Sequence, residues 1–498
     1  MTARTPAQTG TPATEAPDRR RWRAFAVAVT VASITILDLT KVNVALPSIE
    51  TALGAASTEL QLVVSGYVLT FGLTLVPMGR LGDQRSRRTL FLVGLALFTL
   101  TSLVCALATT STMLLVGRLV QGIAAGIQMP QVLGLVQQLF TGAERGRAFG
   151  IFGAVIGLST AFGPTLGGFL IAVGGEQDGW RWIFWLNVPL ALLAMLLAAR
   201  LLPRDPAGRD RERAPLQLDP VGVVLLGLTV LALLAPFLLT TGSPDDDPRR
   251  WWSLLAAAAL GALLVAWERH YALTGRVPLI PFRLLRIPSF RNGTLLATAY
   301  FAALPAIFLL TTLFLQDGLG LQPVYAGMVS IGFALASALT SWYSGNLVNR
   351  LGRPLVVAGL AVVAVVVLGL AAVAHWVDAA AAPFVMAGVL LVGGLGGGAV
   401  ISPNQTLTLA EVPVQDGGLA GSMGQLGQRI GTAVGTAVGL SLFYSTVYAG
   451  PADGDTVTVY QAAYDRGMIA VGFFVLLALA AGVADLRGRR TRSAQPAH

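Results

Sequence analysis

Apolar runs long enough to cross a membrane recur along almost the whole of this chain. A helix needs roughly 20 apolar residues to span the hydrocarbon core of a bilayer, and fourteen runs reach that length, from about 24–48 to about 466–485. With 54% hydrophobic and 12% charged residues, the chain carries too few charges to cover a water-exposed surface. We therefore predict an all-α integral membrane protein with fourteen transmembrane helices rather than a soluble multidomain enzyme.

The arginines between these runs predict the orientation in the membrane. Positively charged residues collect in the cytoplasmic loops of membrane proteins. If the fourteen runs alternate in direction, nearly all loop arginines fall on one side, and only Arg181, Arg249, Arg250 and Arg466 fall on the other. We therefore expect both termini in the cytoplasm and a multi-pass protein of the cell (inner or plasma) membrane. Because the net charge of +9 comes from these flanks, nucleic acid is not an expected partner.

Two segments far apart in the chain look like copies of one another. Residues 79–88 and 345–354 are both rich in arginine and glycine, and each lies between two apolar runs. They follow spans 2 and 10, eight spans apart, whereas two plain six-helix halves would separate them by six. We therefore predict two pseudo-symmetric six-helix bundles with two inserted helices between them, an arrangement that solute transporters use for alternating access.

This count also predicts how the chain divides. The predicted regions are a disordered cytoplasmic tail at 1–22, an N-terminal six-helix bundle at 23–202, a cytoplasmic loop with the two inserted helices at 203–270, a C-terminal six-helix bundle at 271–486 and a basic cytoplasmic tail at 487–498.

The sequence lacks the residues that several kinds of chemistry require. The single cysteine, Cys105, excludes an intramolecular disulfide, and the three histidines have no metal-ligand spacing. No glycine-rich nucleotide-binding loop with a lysine is present, so we expect no direct use of ATP. We therefore expect no metal, no cofactor and no enzymatic activity.

Motifs in the first half carry a resemblance to a known family. They lie at 37–47 in span 1, 79–88, 118–122 in span 4, 163–168 in span 5 and 180–189 entering span 6. In these motifs the chain resembles the fourteen-helix drug:proton antiporter family of the major facilitator superfamily, over nearly its whole length. The resemblance implies a proton-coupled secondary active exporter of small amphiphilic compounds such as drugs or antibiotics. It also implies alternating access, with protons and membrane lipid as partners and a monomer as the working unit.

Four ionisable residues lie deep inside predicted spans, where a charge is costly and usually functional. They are Asp38, Lys41, Arg118 and Arg429. Asp38 lies ~15 Å from the outer end of span 1 and Arg118 ~8 Å from the outer end of span 4, so a long arginine could reach across. The resemblance implies that both spans line the central cavity, with Asp38 as the proton carrier and Arg118 tuning it. A static buried ion pair is the alternative.

Lys41 is the only lysine in the chain, at a position where members of the family usually carry an aliphatic residue. Because it follows Asp38 by three residues, the two share a helix face. A local pair with Asp38 and a cationic contact for substrate both remain open. Three cations and one acid in one cavity would favour an anionic, zwitterionic or neutral substrate.

Polar residues in spans 4, 12 and 13 complete the predicted substrate cavity. The candidates are Lys41, Gln121, Gln128, Asn404, Gln405, Gln425 and Arg429. For any single amide among them, an interhelical hydrogen bond is the simpler alternative role.

The segment 79–88 is predicted to act as a conformational latch. Gly79 and Gly82 would permit a tight turn, and Asp83 could bind the start of a neighbouring helix or an arginine when the two halves close. Topology signalling by the arginines alone is the alternative. Ser86 replaces the glycine usual in the family and Asn349 replaces the acid in the second copy, so only the first copy is expected to be a charged latch. The predicted latch residues are Gly79, Asp83, Arg87 and Arg88.

Span 5 carries the motif that the resemblance associates with exporters. Its residues are Gly163, Pro164, Gly167 and Gly168. Small residues let another helix approach closely, and proline allows a bend. Ser159 stands where the family usually has glycine. A proton-coupled importer of a small organic solute is the alternative function, and this motif disfavours it.

Overall fold

The computed structural model describes residues 19–55, 57–175, 178–203, 219–240, 246–276, 278–450 and 456–493. The fourteen long helices in these ranges are α1 Arg19–Leu53, α2 Ser57–Gln84, α3 Arg87–Ala106, α4 Ser111–Leu139, α5 Gly142–Gly174, α6 Gly179–Leu201, α7 Pro220–Leu238, α8 Ser253–Leu273, α9 Pro288–Leu313, α10 Ile331–Leu351, α11 Arg353–Trp376, α12 Ala382–Thr408, α13 Gly417–Ala449 and α14 Thr456–Ser493. The described residues form no β-strand. Fourteen helices are long and apolar enough to cross a membrane, which confirms the predicted number.

The spanning segments are helical because a backbone in hydrocarbon must satisfy its own hydrogen bonds. Several helix starts carry a capping side chain of the type that accepts from the first free N–H groups. Ser86 caps α3 and Thr110 caps α4. Asp219 caps α7, accepting from Gly222 N at 2.9 Å.

The first and last helices extend into the predicted tails. α1 begins at Arg19, so the last four residues of the predicted tail at 1–22 are helical, and residues 1–18 lie outside the described part. α14 continues to Ser493, into the predicted tail at 487–498. A hydropathy count marks only the part of a helix in hydrocarbon, whereas arginine stems let the same helix continue through the interface.

The helices pack as two bundles with the same internal arrangement. In the first bundle α1 packs on α5 and α6, α2 packs on α4, α3 packs on α4 and α6, and α5 packs on α6. Each pairing recurs eight helices later in the second bundle. The inserted helices α7 and α8 pack on each other, and α7 also contacts α2 and α13. This repetition confirms two pseudo-symmetric six-helix bundles with an inserted pair.

The two bundles meet at one end of the molecule and separate toward the other. α5 faces α10 and α12 across the interface. The space around its glycines shows how close these helices come to it. A Cβ added at Gly146 would lie 2.6 Å from Gly345 O, and one at Gly153 would lie 3.2 Å from Ser402 Cβ. Gly157 shares that helix face, but a Cβ there would meet nothing within 4 Å. The contact therefore ends beyond Gly153.

Further along α5, two motif glycines pack directly against α1. A Cβ at Gly167 would lie 2.9 Å from Lys41 O, and one at Gly163 would overlap the side chain of Thr40. A Cβ at the neighbouring Gly168 would meet nothing within 4 Å. The close approach of α5 to α1 thus depends on Gly163 and Gly167 and not on Gly168.

We expect Gly167→Ala to lower the thermal stability of the purified protein and Gly168→Ala to leave it unchanged or raise it. The methyl group at position 167 would press on a backbone carbonyl that cannot rotate away, and such overpacking costs about 1–3 kcal/mol. At position 168 the methyl group has open space, and alanine is favoured over glycine in a helix by about 1 kcal/mol. Thermal unfolding of both variants in one detergent compares them, and equal shifts would contradict the contact.

Candidate functional site

A fully buried ion pair lies inside the first bundle, between α1 and α4. Arg118 Nη1 lies 2.6 Å from Asp38 Oδ2, and both side chains are 0% exposed. The long reach predicted for Arg118 is therefore present in the fold. Because a buried charge is tolerated only when paired and hydrogen-bonded, the remaining partners of these two side chains define the site.

Asn187 of α6 connects this pair to Lys41. Asn187 Nδ2 donates to Asp38 Oδ1 at 2.5 Å, and Lys41 Nζ donates to Asn187 Oδ1 at 2.8 Å and to Ile183 O at 3.1 Å. The direct pair of Lys41 with Asp38, one of the two alternatives, is thus wrong for this conformation, because the ammonium group points toward α6. At 1% exposure, Lys41 is also closed to substrate here.

The other donors of Arg118 extend the network to α2 and α3. Arg118 Nη1 also donates to Gln121 Oε1 at 2.8 Å, and Gln121 Nε2 donates to Ser102 Oγ at 2.8 Å. The guanidinium carbon lies 4.1 Å from the centroid of the Tyr67 ring, within the range of a cation–π contact. Of the predicted site residues, Asp38, Lys41, Arg118 and Gln121 thus belong to one network.

Sequence reasoning missed Asn187, Tyr67 and Ser102 as members of this site. Asn187 lies in the aromatic motif 180–189, and an amide two residues before the proline of that motif was the available signal. Tyr67 and Ser102 carry no comparable signal, because a single tyrosine or serine in an apolar span is ordinary packing.

The network contains several hydrogen-bonded side chains around a single acid. Both oxygens of its only carboxylate, Asp38, accept a hydrogen bond, one from a cation and one from an amide. Adding a proton would remove the charge that holds Arg118. This arrangement is suited to coupling one protonation to a change of partners, and no group in it resembles an activated nucleophile.

Arg429 reaches the first bundle from the opposite half. Its guanidinium carbon lies 4.7 Å from the centroid of the Phe71 ring, and that ring packs edge-on against Tyr67. Two aromatic rings therefore separate Arg429 from Arg118. Among the described residues, the buried Nε of Arg429 has no hydrogen-bond partner.

The predicted cavity amides lie in different places. Gln128 Nε2 donates to Thr35 Oγ1 at 2.9 Å, so it joins α4 to α1. Gln425 is buried on α13, and Gln405 is partly buried on α12. These two side chains make no hydrogen bond within the described part of the chain.

Asn404 belongs to a second buried ion pair rather than to the cavity. Arg353 Nη1 donates to Asn404 Oδ1 at 2.5 Å, and Arg353 Nε lies 2.6 Å from Asp485 Oδ2. Asn404 Nδ2 donates to Gly293 O at 3.0 Å. Its prediction as a cavity residue is wrong, because both polar atoms of its amide are engaged in joining α12 to α9 and to the start of α11. Arg353 is the residue of the second copy that corresponds to Arg87 of the first.

The first copy of the repeated segment joins the two bundles. Asp83 Oδ1 accepts from Gly418 N at 3.0 Å and Asp83 Oδ2 from Leu419 N at 2.8 Å, both at the start of α13. Arg87 Nη2 lies 2.7 Å from Asp83 Oδ1 and donates to Val414 O at 3.0 Å. A carboxylate at the N-terminus of a helix is favoured by the helix dipole and the free N–H groups, so this contact ties α2 to α13.

Two predicted details of this segment are wrong. Gly79 and Gly82 lie within α2 and form no turn. Gly79 instead allows α13 to approach, since a Cβ there would lie 2.9 Å from Gly418 O. Arg88 does not reach the interface, because its Nη2 donates to Ala199 O at 2.5 Å within the first bundle.

Comparisons with known proteins agree with this architecture. The sequence matches the family model described as "Major Facilitator Superfamily" over residues 24–436. It is 33% identical over 420 residues to a Streptomyces coelicolor protein named "Probable actinorhodin transporter", covering 83% of this chain and 71% of that protein. It is 35% identical over 336 residues to "Puromycin resistance protein pur8" of Streptomyces alboniger, covering 66% of this chain and 63% of that protein.

A solved structure shows the same fold at low identity. The proton:xylose symporter XylE superposes with a TM-score of 0.61 at 16% identity, covering 92% of this chain and 96% of that one. At this identity the likeness concerns the fold alone.

Proposed function

Because the chain belongs to the Major Facilitator Superfamily, we propose that it is a proton-driven exporter of small amphiphilic compounds such as drugs or antibiotics. It is a multi-pass membrane transporter. The relatives named for actinorhodin transport and for puromycin resistance support antibiotics as the substrate class. The observation that carries the proposed proton coupling is the buried network around Asp38.

Exchange of one proton at Asp38 changes what holds Arg118. While ionised, the carboxylate accepts one bond from Arg118 and one from Asn187. After protonation the guanidinium keeps Gln121 and the Tyr67 ring as neighbours but loses its counter-ion. A buried cation without an acid is costly, and we assign the drive for the conformational exchange to this cost.

The described conformation fits the outward-open step of an exporter. The bundles touch near Gly146 and separate beyond Gly153. If the arginine-rich loops lie in the cytoplasm, the open side faces outward, where an exporter releases its substrate and takes up a proton. Asp83 and Arg87 then form the cytoplasmic latch that holds this state.

The charges of the site support a substrate that is anionic, zwitterionic or neutral. Lys41, Arg118 and Arg429 outnumber the one acid, Asp38. Arg429 is the proposed substrate contact of the second bundle, because its neighbour among the described residues is an aromatic ring rather than an acid. Gln405 and Gln425 remain candidate contacts from the same bundle.

The direction of transport decides between this proposal and a proton-coupled importer. The fold includes a proton:xylose symporter, so the fold alone does not choose. In inverted membrane vesicles with an acidic lumen, we expect uptake of an exported compound that collapses when an uncoupler is added. Anionic, zwitterionic, neutral and cationic antibiotics are compared in parallel. Absence of uptake in this orientation, with proton-driven uptake in vesicles of the opposite orientation, would establish the importer.

We expect the two bundles to separate more often at the Asp83–Arg87 latch in the Asp83→Asn variant. The substitution removes the ion pair with Arg87 and leaves one backbone N–H facing an amide NH2, and a hydrogen bond to a charged group is worth about 1.5–3 kcal/mol. With Cys105→Ala as background, Ser341→Cys places a reporter thiol at the buried contact with α5. Its labelling by a water-soluble maleimide should be about tenfold faster in the Asp83→Asn variant, in line with the loss of one such bond.

Glu144→Gln is the matched control for this experiment. Glu144 lies at the same end of the molecule but forms a partly exposed ion pair with Arg21 at 3.6 Å within the first bundle. Its loss should leave the labelling rate unchanged. Equal labelling of the parent and Asp83→Asn proteins would show that Asp83 does not hold the bundles together.

A further inference from the structure

A polar cavity lies at the arginine-rich end of the first bundle, away from the Asp38 network. Its volume is about 600 Å³, and four arginines line it. Arg20 and Arg21 come from the first turn of α1, Arg88 from the first turn of α3 and Arg200 from the last turn of α6. Three separate helix ends thus bring four cations to one cavity, although like charges repel one another.

Two of these guanidinium groups are only partly satisfied by the protein. Arg88 Nη2 donates to Ala199 O at 2.5 Å, and Arg21 forms a long ion pair with Glu144 at 3.6 Å. The Nε atoms of Arg21 and Arg88 are buried and have no hydrogen-bond partner among the described residues. Buried donors on a cationic group favour a ligand with several anionic oxygens, and the guanidinium fork matches the geometry of phosphate.

The position of the cavity identifies the source of such a phosphate. The cavity lies where α1 and α3 begin and α6 ends, so it falls at the level of the lipid headgroups on that side. Leu139, Leu201 and Leu202 also line it and provide apolar surface beside the arginines. Basic pockets between transmembrane helices bind anionic headgroups.

We propose that this cavity binds the phosphate of an anionic phospholipid such as phosphatidylglycerol. The bound phosphate reduces the repulsion among the four arginines and fixes the first turn of α3 through Arg88. Arg87, the neighbouring residue, binds Asp83 at the bundle interface. By fixing this helix turn, the lipid also stabilises the Arg87–Asp83 contact. Free inorganic phosphate has the same chemistry without the acyl chains.

The test measures lipid binding to the purified, delipidated protein by native mass spectrometry and by the shift in melting temperature. Phosphatidylglycerol, phosphatidylcholine and inorganic phosphate are titrated separately. We expect phosphatidylglycerol to bind and to stabilise the protein. In the double variant Arg20→Gln with Arg200→Gln, its affinity should fall about 30-fold, the loss expected for two arginines next to an anionic lipid.

The control removes two arginines from the same end of the molecule outside the cavity. Arg269→Gln with Arg286→Gln changes two exposed side chains near the inserted pair and should change the affinity less than twofold, as expected for arginines without a bound ligand. Arg88→Gln, a single change, provides a second probe if the first double variant folds poorly. If both double variants lost the same affinity for phosphatidylglycerol, or if phosphatidylcholine bound equally well, the cavity would not be a site for anionic lipid. Equal stabilisation by inorganic phosphate would overturn its assignment to lipid.

Discussion

Replacing Asp38 by asparagine is expected to reduce proton-driven export to the level of vesicles without the protein. Asparagine has nearly the same shape and can still accept a hydrogen bond from Asn187 or Arg118, but it cannot bind and release a proton. Asp38 is the only carboxylate in the network, so no other group there can replace it. Uphill transport driven by an imposed pH gradient measures the loss, and resistance of an efflux-deficient host provides a second readout.

Two further measurements separate proton coupling from folding. Exchange of labelled for unlabelled substrate without a gradient should persist in the Asp38→Asn variant, because it requires the cavity but no net proton movement. Asp178→Asn is the matched control, since Asp178 forms an exposed ion pair with Arg181 far from the network. Should the Asp38→Asn variant concentrate substrate at the parent rate, the proposed coupling site is wrong.

The second large effect is expected on stability, from Arg118→Met. Methionine has a similar length and fills much of the same volume, but Asp38 then remains buried with only the Asn187 amide bonded to it. Removing one partner of a buried ion pair costs about 3–5 kcal/mol because the other charge is left uncompensated. Thermal unfolding and the yield of folded protein in detergent measure the change.

The double variant tests the reason for that loss. Adding Asp38→Asn to Arg118→Met removes the stranded charge, so we expect much of the stability to return while export stays absent. The coupling energy from the complete cycle isolates the interaction of the two residues. Equal instability of the single and double variants would mean that Arg118 acts through packing on Tyr67 rather than through Asp38.

The overall fold was predictable because its causes are visible in the sequence. Apolar length determines how many helices can cross a bilayer, and the spacing of the two copies at 79–88 and 345–354 located the inserted pair. Charged residues in apolar runs are conspicuous, so Asp38, Lys41 and Arg118 were found. Asn187 was not found, because a neutral amide within an aromatic motif has many possible roles.

Other errors arose where one residue type serves two purposes. Glycine is needed both for a turn and for a close helix contact, so Gly79 was assigned the wrong one. An amide in a span can line a cavity or join helices, and the choice for Asn404 depended on Arg353, a partner distant in sequence. Lys41 bonds to α6 rather than to the carboxylate on its own helix face, which only the packing of α1 against α6 determines.

The inserted pair has a mechanical consequence for any transport cycle. Because α7 contacts both α2 and α13, it touches a different bundle on each side. When the bundles tilt apart there, α7 cannot keep both neighbours. In the proposed alternating access it would move with one bundle and break its contacts with the other, so each switch would require α7 to repack against α2 or α13.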